Sequence, residues 1–320
     1  MTPKVSVLIP AFRPTYLGQA IASVLSQGFE DYELLISDDS GGGDVRPVVD
    51  RFRDPRIVYS RTSGRVGGTL NVRALWAQAA APLVKYLFDD DLMLPNALID
   101  LVDQIDRWPD ASFVFAHRDI VDQVGRIQSE PRFVEAGKAI PVSHEMLTAK
   151  LVPTCANRVG EFSNILINRK IGLSLNDVYA YRGFDIEMLG DVAFFLNASA
   201  KGPAIGLGRT IGQFRKHAEQ NSSHAFNPLF AKAVCEWELF VRGEYAAGVI
   251  DQAQALAGVD RLEHIYGVWI GRLPKLQALN AGLPGLRIRI EAEDRDVLDD
   301  EFRRAWSETS LGISGHVAGQ

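Results

Sequence analysis

Three consecutive carboxylates, Asp89, Asp90 and Asp91, follow the apolar run 83–88 in the stretch KYLFDDDLMLP. Adjacent anions repel one another, so this cluster needs a cation, hydrogen-bond donors or both. Aspartate oxygens suit hard divalent ions such as Mg²⁺ or Mn²⁺, which take remaining ligands from water and substrate phosphates. Helix capping ahead of Pro95 accounts for one aspartate but not for three. The residue types therefore indicate a metal ion that bridges to a diphosphate.

A second acidic pair, Asp38 and Asp39, follows the apolar run 33–37 and precedes three glycines. Taken alone, this pair is explained equally well by an Asx turn that closes a strand. In a parallel sheet, however, the carboxyl ends of the strands lie on one edge, where ligands bind. We therefore expect both acidic clusters on the same edge of one sheet.

The first half of the chain alternates short apolar runs with stretches of helical periodicity. Strands are predicted at 5–9, 33–37, 57–59, 83–88 and 111–116, and helices at 16–27, 70–79 and 95–108. Further along we predict a strand at 161–168, a helix at 185–198 and a strand at 204–214. Strands that alternate with helices predict an α/β fold, a three-layer sandwich with a mostly parallel central sheet.

The character of the sequence changes along the chain. Residues 125–160 carry scattered glycine, proline and charge, which is typical of long loops, whereas helical spacing dominates the C-terminal part. The Gly- and Ser-containing tail 307–320 is expected to be mobile. We predict one domain over 1–225 and then a helical region over 226–320.

Composition excludes several classes of protein. The net charge of −6 argues against a general nucleic-acid binder, which presents a basic face to phosphates. Only two cysteines, Cys155 and Cys235, occur, so no disulfide framework is predicted. The N-terminus does not resemble a signal peptide, and no apolar run reaches the roughly 18 residues of a membrane-spanning helix. We expect a cytoplasmic protein, and leave open a peripheral contact with the inner face of the membrane and a homo-oligomer.

Several segments, in this order, resemble glycosyltransferase family 2. They are VSVLIPAF at 5–12, AIASVLSQ at 20–27, YELLISDDS at 32–40 and FDDDLMLP at 88–95, the last of which resembles the DxD segment of the family. The likeness is continuous over about residues 4–120 and returns in pieces to about 223. It implies a GT-A fold over 1–225, with a nucleotide-binding half over 1–120 and an acceptor-side half over 121–225. It also implies an inverting, metal-dependent transfer of a sugar from a nucleoside diphosphate sugar to a hydroxyl group of a glycan, lipid-linked or other acceptor.

The resemblance also implies roles for residues near the nucleotide. Asp39 would accept a hydrogen bond from uracil N3–H, which favours a UDP-sugar and leaves a dTDP-sugar open. Asn71 stands where the family often has a basic residue that faces the donor. The residues implied as nucleotide-binding are Pro10, Ala11, Phe12, Asp39, Asn71 and Asp89.

For the metal, Mn²⁺ or Mg²⁺, the resemblance implies Asp90 as the principal ligand, with Asp91 supporting it directly or through water. Phe88 occupies a position that is commonly acidic in the family, so which carboxylate touches the ion stays open. The segment FRKHAEQNS at 214–222 resembles a family segment in which His217 would contact the metal or the diphosphate. The cations implied to neutralise the diphosphate are Arg65, Arg73, Arg215 and Lys216.

A further aspartate, Asp191, opens the apolar stretch GDVAFF at 190–195. Helix capping is the usual reason for such a residue. The resemblance instead implies a catalytic general base that takes the proton of the acceptor hydroxyl. Asp185 and Glu187 are alternatives, since both fall within two helical turns of Asp191.

Three other functions are weighed against this one. A sugar nucleotidyltransferase normally carries a glycine-rich basic loop after the first strand, and the loop PAFRP at 10–14 has no glycine. A nicotinamide-dependent oxidoreductase fails for the same reason, because no G-x-G-x-x-G follows the strand. A non-catalytic protein that binds nucleotide sugars stays open. The sequence does not specify the sugar or the acceptor.

Overall fold

The computed structural model of the protein describes residues 2–218, 220, 230–271 and 276–317. The strands are β1 Val5–Ala11, β2 Tyr32–Asp38, β3 Ile57–Arg61, β4 Leu83–Tyr86, β5 Leu92–Met93, β6 Phe113–Val121, β7 Ile127–Ser129, β8 Ala139–Val142, β9 Ile165–Asn168, β10 Ala180–Tyr181, β11 Phe184–Asp185 and β12 Ala204–Arg215. The helices are α1 Pro14–Leu25, α2 Arg46–Val49, α3 Gly68–Gln78, α4 Ala97–Arg107, α5 His144–Leu151, α6 Gly190–Ser199, α7 Phe230–Ala246, α8 Gln252–Ile270, α9 Gln277–Glu291 and α10 Asp300–Val317.

The chain divides into two compact units that interleave along the sequence. The first consists of Met1–Ser143, Val159–Tyr179 and Asn197–His217. The second consists of His144–Arg158, Ala180–Leu196 and Ala218–Gln320. The sequence predicts one domain boundary, near residue 225. In the structure the second unit also includes two earlier segments of the chain, 144–158 and 180–196.

The first unit is built on a ten-stranded sheet whose main order is β3-β2-β1-β4-β9-β6-β12-β5. The pairs β1–β2, β1–β4, β2–β3 and β6–β12 are parallel. All seven residues of β1 are buried, as expected for a central strand covered on both faces. The predicted α/β class with a mostly parallel central sheet is confirmed.

Helices cover the sheet because their apolar residues recur at helical spacing. In α1, Pro14 occupies the first turn, where no backbone N–H is needed, and Leu17, Ile21 and Val24 are buried. These side chains join one core cluster with Val7 and other residues of the sheet. Helix α3 packs against β1 and β2, and the Tyr86 hydroxyl donates to the Val72 carbonyl of α3.

The second unit is mostly helical. Helix α7 packs on α8 and α10, and α9 packs on α8 and α10. A short hairpin joins β10 to β11 through Arg182 and Gly183, whose φ angles of 48° and 84° suit a type I′ turn. Cys155 and Cys235 are free and buried, so these two cysteines form no disulfide. In the described part of the chain, no helix is both long and apolar enough to cross a membrane.

Several local predictions differ from the structure. The stretch 125–160 contains β7, β8 and α5 rather than loops alone, because β7 and β8 add to the edges of β6 and β12. Helix α6 begins at Gly190 rather than at 185, since Phe184 and Asp185 pair in the hairpin. Helix α10 covers most of the tail that was expected to be mobile, and residues 318–320 lie outside the described part.

Candidate functional site

The candidate donor site lies at the carboxyl ends of β2, β1 and β4. Strand β1 lies between the other two and runs parallel to both. Ala11, the last residue of β1, is paired with Asp38, the last residue of β2. Asp39 donates its backbone N–H to the Ala11 carbonyl at 2.8 Å. The sheet therefore places both acidic clusters at the same edge, as predicted from the sequence for the ends of parallel strands.

Asp89 joins the end of β4 to the end of β1. Its Oδ2 accepts hydrogen bonds from the backbone N–H groups of Phe12 at 2.6 Å and Arg13 at 2.8 Å. Burial, helped by the charge of Asp90, raises the pKa of Asp89 to about 6, although the two backbone bonds oppose the shift. Asp89 thus fixes the backbone at the position where the sequence predicts nucleotide contacts.

Asp90 faces His217, the residue that follows β12 by two positions. The distance from Asp90 Oδ2 to His217 Nε2 is 3.0 Å, and the Asp90 side chain is 20% exposed. The His217 ring lies 5.4 Å from the Tyr16 ring, centroid to centroid. The structure therefore brings together two of the three predicted metal ligands.

Asp91 points into the unit and is 1% exposed. Its Oδ1 accepts from the Arg215 backbone N–H at 3.1 Å. Lys85, which is fully buried, donates to the carbonyls of Tyr86 and Ser163 at 2.7 and 2.6 Å. Burial, helped by the charge of Asp90, raises the pKa of Asp91 well above its ordinary value. Burial lowers the pKa of Lys85 to about 7, with Asp91 opposing that shift.

The Arg215 guanidinium is buried and donates to protein oxygens. It bonds to the carbonyls of Asp90, Asp122 and Gln123 at 3.1, 3.3 and 3.3 Å, and to the Gln19 side chain at 3.0 Å. The guanidinium carbon also lies 4.5 Å from the Tyr16 ring centroid, in cation–π contact. In these contacts Arg215 fixes the backbone of the acidic cluster, and its predicted diphosphate role stays a prediction.

Asp39 holds the loop that leads into α3. Its Oδ1 accepts from Thr62 Oγ1 and from the Val66 N–H, both at 2.8 Å, and its Oδ2 accepts from the Gly67 N–H at 2.9 Å. Gly67 has a φ of 89°, which an L-residue with a side chain adopts only with strain. The side chain predicted to contact the base therefore also organises this loop.

Phe12 lies between two cations. The guanidinium carbons of Arg13 and Arg65 are 5.0 and 4.8 Å from its ring centroid. Arg65 also donates to the Ser40 carbonyl at 3.1 Å and is exposed. The aromatic ring and the flanking positive charge form a surface suited to a nucleotide, because bases stack on rings and phosphates attract guanidinium groups.

The remaining predicted donor-site residues are placed as follows. Pro10 and Ala11 are buried in β1, and Asn71 is buried in α3, where its amide donates to the Ser37 carbonyl at 3.3 Å. Arg73 donates to the Val178 carbonyl at 2.9 Å. The Lys216 side chain is exposed just after β12.

The fit of a divalent metal rests on Asp90 and His217. A carboxylate oxygen and an imidazole nitrogen are both ligands that Mn²⁺ accepts, and the carboxylate also suits Mg²⁺. Within the described residues, no group of three or more His, Cys, Asp or Glu side chains is arranged to hold a metal ion. The residues present therefore fit an ion that takes most of its ligands from a bound diphosphate and water.

Asp191 belongs to the second unit, at the second position of α6. Its Oδ2 accepts from the Asn157 side-chain amide at 2.8 Å, and its Oδ1 accepts from the Val192 N–H at 2.8 Å. Asp185 is exposed in the hairpin, and Glu187 is exposed and paired with Lys232. Among the three candidate bases, Asp191 is the one that has its carboxylate oriented by a neighbouring amide side chain.

The sequence did not indicate four residues around the site. Asn157, Thr62 and Gln19 each contact a predicted site residue, and the charge of Lys85 interacts with Asp91. A lysine inside an apolar strand is a detectable signal, because a buried cation requires acceptors. The other three carry no such signal, since polar residues in loops and on helix surfaces are common.

Parallel strands that end in carboxylates place a candidate ligand site at the sheet edge of an α/β protein. Residues 6–166, about half of the chain, match the family described as Glycosyl transferase family 2. The chain therefore belongs to glycosyl transferase family 2, and the predicted family and class of enzyme, a glycosyltransferase, are confirmed.

Curated relatives are similar over part of their length. The chain is 36% identical over 104 residues to the GalNAc(5)-diNAcBac-PP-undecaprenol beta-1,3-glucosyltransferase of Campylobacter jejuni. The matched segment covers 31% of this chain and 34% of the relative. It is 31% identical over 125 residues to an uncharacterized glycosyltransferase of Nostoc, covering 37% of this chain and 38% of that protein. The similarity thus spans about a third of these relatives.

Solved structures match over nearly the whole chain. Residues 1–349 of TarS from S. aureus, in complex with UDP-GlcNAc, superpose with a TM-score of 0.58 at 16% identity, covering 97% of this chain and 92% of that chain. Another structure of S. aureus TarS matches with a TM-score of 0.59 at 15% identity, covering 92% of this chain and 54% of that chain. At this identity the likeness shows a shared fold.

Proposed function

We propose that this protein is an inverting glycosyltransferase that moves a sugar from a nucleoside diphosphate sugar, preferentially a UDP-sugar, to a hydroxyl group. The observation that carries the proposal is the pair of bonds from Phe12 and Arg13 to Asp89, which joins two family motifs at one sheet edge. The presence of UDP-GlcNAc in the TarS complex of the same fold supports a uridine nucleotide.

In this proposal Asp39 recognises the base. Its carboxylate is 2% exposed and accepts from Thr62, Val66 and Gly67. Oδ2 accepts one of these three bonds, from Gly67, so it keeps a lone pair for the N3–H of uracil, or of thymine in a dTDP-sugar. Because the same carboxylate holds the 62–67 loop, we expect nucleotide binding to change the protection of that loop.

We further propose that Mn²⁺ or Mg²⁺ assists the reaction, with Asp90 and His217 as the residues that would hold it and Asp91 behind them. A bound divalent ion supplies positive charge that stabilises the departing diphosphate. The protein itself contributes the position of Asp90, whose carbonyl is fixed by Arg215 and whose carboxylate faces His217.

Asp191 is the proposed general base. The acceptor oxygen attacks the anomeric carbon, the bond from that carbon to the diphosphate breaks, and the acceptor proton passes to Asp191. A single displacement inverts the anomeric centre. The Asn157 amide supports this role because it holds the Asp191 carboxylate in one orientation.

The acceptor proposed is a glycan, with a lipid-linked glycan as one form. The Campylobacter relative is named for a PP-undecaprenol-linked glycan, which supports that form. A lipid-linked acceptor would require a peripheral contact of a cytoplasmic protein with the membrane. Vesicles that contain such an acceptor, compared with a free glycan, distinguish the two forms.

A panel of UDP-, dTDP- and GDP-sugars tests the function. We expect release of UDP from a UDP-sugar, increased by Mn²⁺ or Mg²⁺ and abolished by a chelator. Formation of a nucleotide sugar from a nucleoside triphosphate and a sugar phosphate would identify a nucleotidyltransferase instead. Binding of a nucleotide sugar with neither release nor transfer, across the panel of donors and acceptors, would identify a non-catalytic binding protein.

A further inference from the structure

Helix α7 carries a buried carboxylate, Glu236, to which neither the sequence motifs nor the proposed chemistry gives a role. The residue is 2% exposed. Its Oε1 accepts from the backbone N–H groups of Glu187 at 2.7 Å and Met188 at 3.1 Å, and its Oε2 accepts from that of Leu189 at 2.6 Å. Three consecutive backbone donors therefore converge on one side chain.

This arrangement fixes the start of α6. Successive N–H groups that point at one anion form a concave nest, and bonds to a charged acceptor are roughly twice as strong as neutral ones. The Leu189 carbonyl accepts from the Ala193 N–H at 2.9 Å, a bond of the first helical turn. The residues that Glu236 binds are thus the ones from which α6 departs.

A second residue of α7 contacts the same segment. Lys232 is 3% exposed and forms an ion pair with Glu187. Lys232 and Glu236 are four positions apart, so they project from the same side of the helix. Two adjacent charged side chains of α7 therefore contact the segment 187–189.

We propose that Glu236 is a positioning residue for Asp191, because it fixes the backbone of 187–189, two residues before that carboxylate. The inference rests on the proposed function, in which Asp191 takes the acceptor proton. Asn157 orients the Asp191 side chain, and Glu236 sets the backbone that carries it.

The test compares Glu236→Gln with Glu238→Gln in the full-length protein. Glutamine at 236 replaces one acceptor oxygen with an NH₂ group, so at least one of the three N–H groups loses its partner. Glu238 is a matched control, because it is also on α7, is 0% exposed and bonds to Arg242 and Tyr266 instead. The assay is release of UDP from the UDP-sugar that gives turnover in the wild type.

For Glu236→Gln we expect kcat to fall about tenfold or more while the donor KM stays within about twofold. Amide hydrogen exchange should increase in peptides that cover 187–192. For Glu238→Gln we expect kcat within about twofold of the wild type and unchanged exchange in those peptides. If Glu236→Gln does not fold, Lys232→Met replaces it, because Lys232 also contacts the segment 187–189 through Glu187. We expect a smaller loss of kcat for Lys232→Met.

Three results would overturn the inference. The first is a wild-type kcat in Glu236→Gln, or in Lys232→Met if Glu236→Gln does not fold. The second is a loss of kcat in Glu238→Gln as large as that in Glu236→Gln. The third is unchanged amide exchange over 187–192 in Glu236→Gln. A wild type that releases no nucleoside diphosphate from any donor overturns the proposed function and this inference with it. Since turnover of the wild type is scored separately, the two failures are distinguishable.

Discussion

Asp90 of the first unit and the carboxylates of α7 in the second unit differ in exposure. Asp90 follows strand β4, and its side chain keeps 20% of its surface exposed beside His217. On α7, Glu236, Glu238 and Glu244 are 2%, 0% and 1% exposed. The residue chemistry is similar, but the access of solvent differs.

The partners explain this difference. Glu238 accepts from Arg242 at 2.8 Å and from the Tyr266 hydroxyl at 2.6 Å, and the Tyr181 hydroxyl donates to Glu244 at 2.5 Å. A buried charge is tolerated only when it is paired and hydrogen-bonded. The α7 carboxylates are therefore committed to holding the fold, whereas Asp90 retains surface for a ligand. Exposure and partners distinguish Asp90 from the α7 carboxylates, and residue type does not.

The largest expected effect is that of Asp191→Ala, which tests whether the second unit contributes a catalytic group at all. Loss of a general base lowers kcat about 10²–10⁴-fold. Single-turnover release of the nucleoside diphosphate is the measurement, with Asp185→Ala as the control that keeps activity. Glu187→Ala breaks the ion pair with Lys232, so it should lose no more activity than Lys232→Met. Near wild-type turnover in Asp191→Ala, with a loss of about 10²-fold or more in Asp185→Ala or Glu187→Ala, would move the base to that residue.

In the first unit, Asp90→Ala should lower kcat about 10²–10³-fold, because a group that stabilises charge on the leaving diphosphate is lost. Excess Mn²⁺ should not restore the rate. Asp50→Ala is the matched control, since that aspartate is in the same unit but pairs with Arg46 at the surface. Retained activity in Asp90→Ala would remove Asp90 from the metal assignment.

Substitution of one buried basic side chain in each unit compares the two units by their free energy of unfolding. Arg242→Met leaves Glu238 without its cation and should lower the free energy of unfolding by about 3–5 kcal/mol. Lys85→Met in the first unit leaves the carbonyls of Tyr86 and Ser163 without that donor and should cost about 1–3 kcal/mol. Urea unfolding measures both variants. A larger loss of free energy of unfolding in Lys85→Met than in Arg242→Met would contradict this expectation.

A further expected effect is a pH dependence of stability from Glu236. Burial raises its pKa from an ordinary value of 4.5 to about 7, although the three backbone bonds oppose the shift; the charge of Glu187 adds to it. Because the folded protein then binds this proton more tightly than the unfolded chain, the group's contribution to the free energy of unfolding falls as pH rises from about 4.5 to about 7.

Glu236→Gln lacks this titration. Its free energy of unfolding relative to the wild type should therefore rise between pH 4.5 and pH 7, measured by urea unfolding at both values. Lys232 and Glu187 are the charged neighbours of Glu236, and Glu187→Gln is the control for their contribution. A difference between wild type and Glu236→Gln that is independent of pH would show that Glu236 stays ionised in the folded protein.

Much of the first unit could be predicted from the sequence. Strands β1 to β4 lie within a few residues of the predicted ranges, since a run of apolar residues is a local signal. The start of α6 was misplaced by five residues, because Phe184 and Asp185 pair with β10 in a hairpin that no periodicity indicated. Long, patterned elements were predictable, and short ones that depend on pairing were not.

The candidate site shows the same limit residue by residue. Asp39, Asp89 and Asp90 were predicted because motifs mark them. The contacts of Arg215 with Asp90, Asp122 and Gln123 join residues about a hundred positions apart, so no local pattern reveals them. Arg215 is predicted at the diphosphate from its family segment, and only the structure shows that its guanidinium also donates to these carbonyls.

The sequence by itself determined the family, the parallel sheet of the first unit and the order of carboxylates that end its strands, because motifs and apolar runs are local properties. Only the tertiary structure decided which carboxylates are exposed and which are buried, and what each one binds. Burial and hydrogen bonding depend on side chains distant in the chain, as when Glu236 of α7 accepts the backbone N–H groups of 187–189.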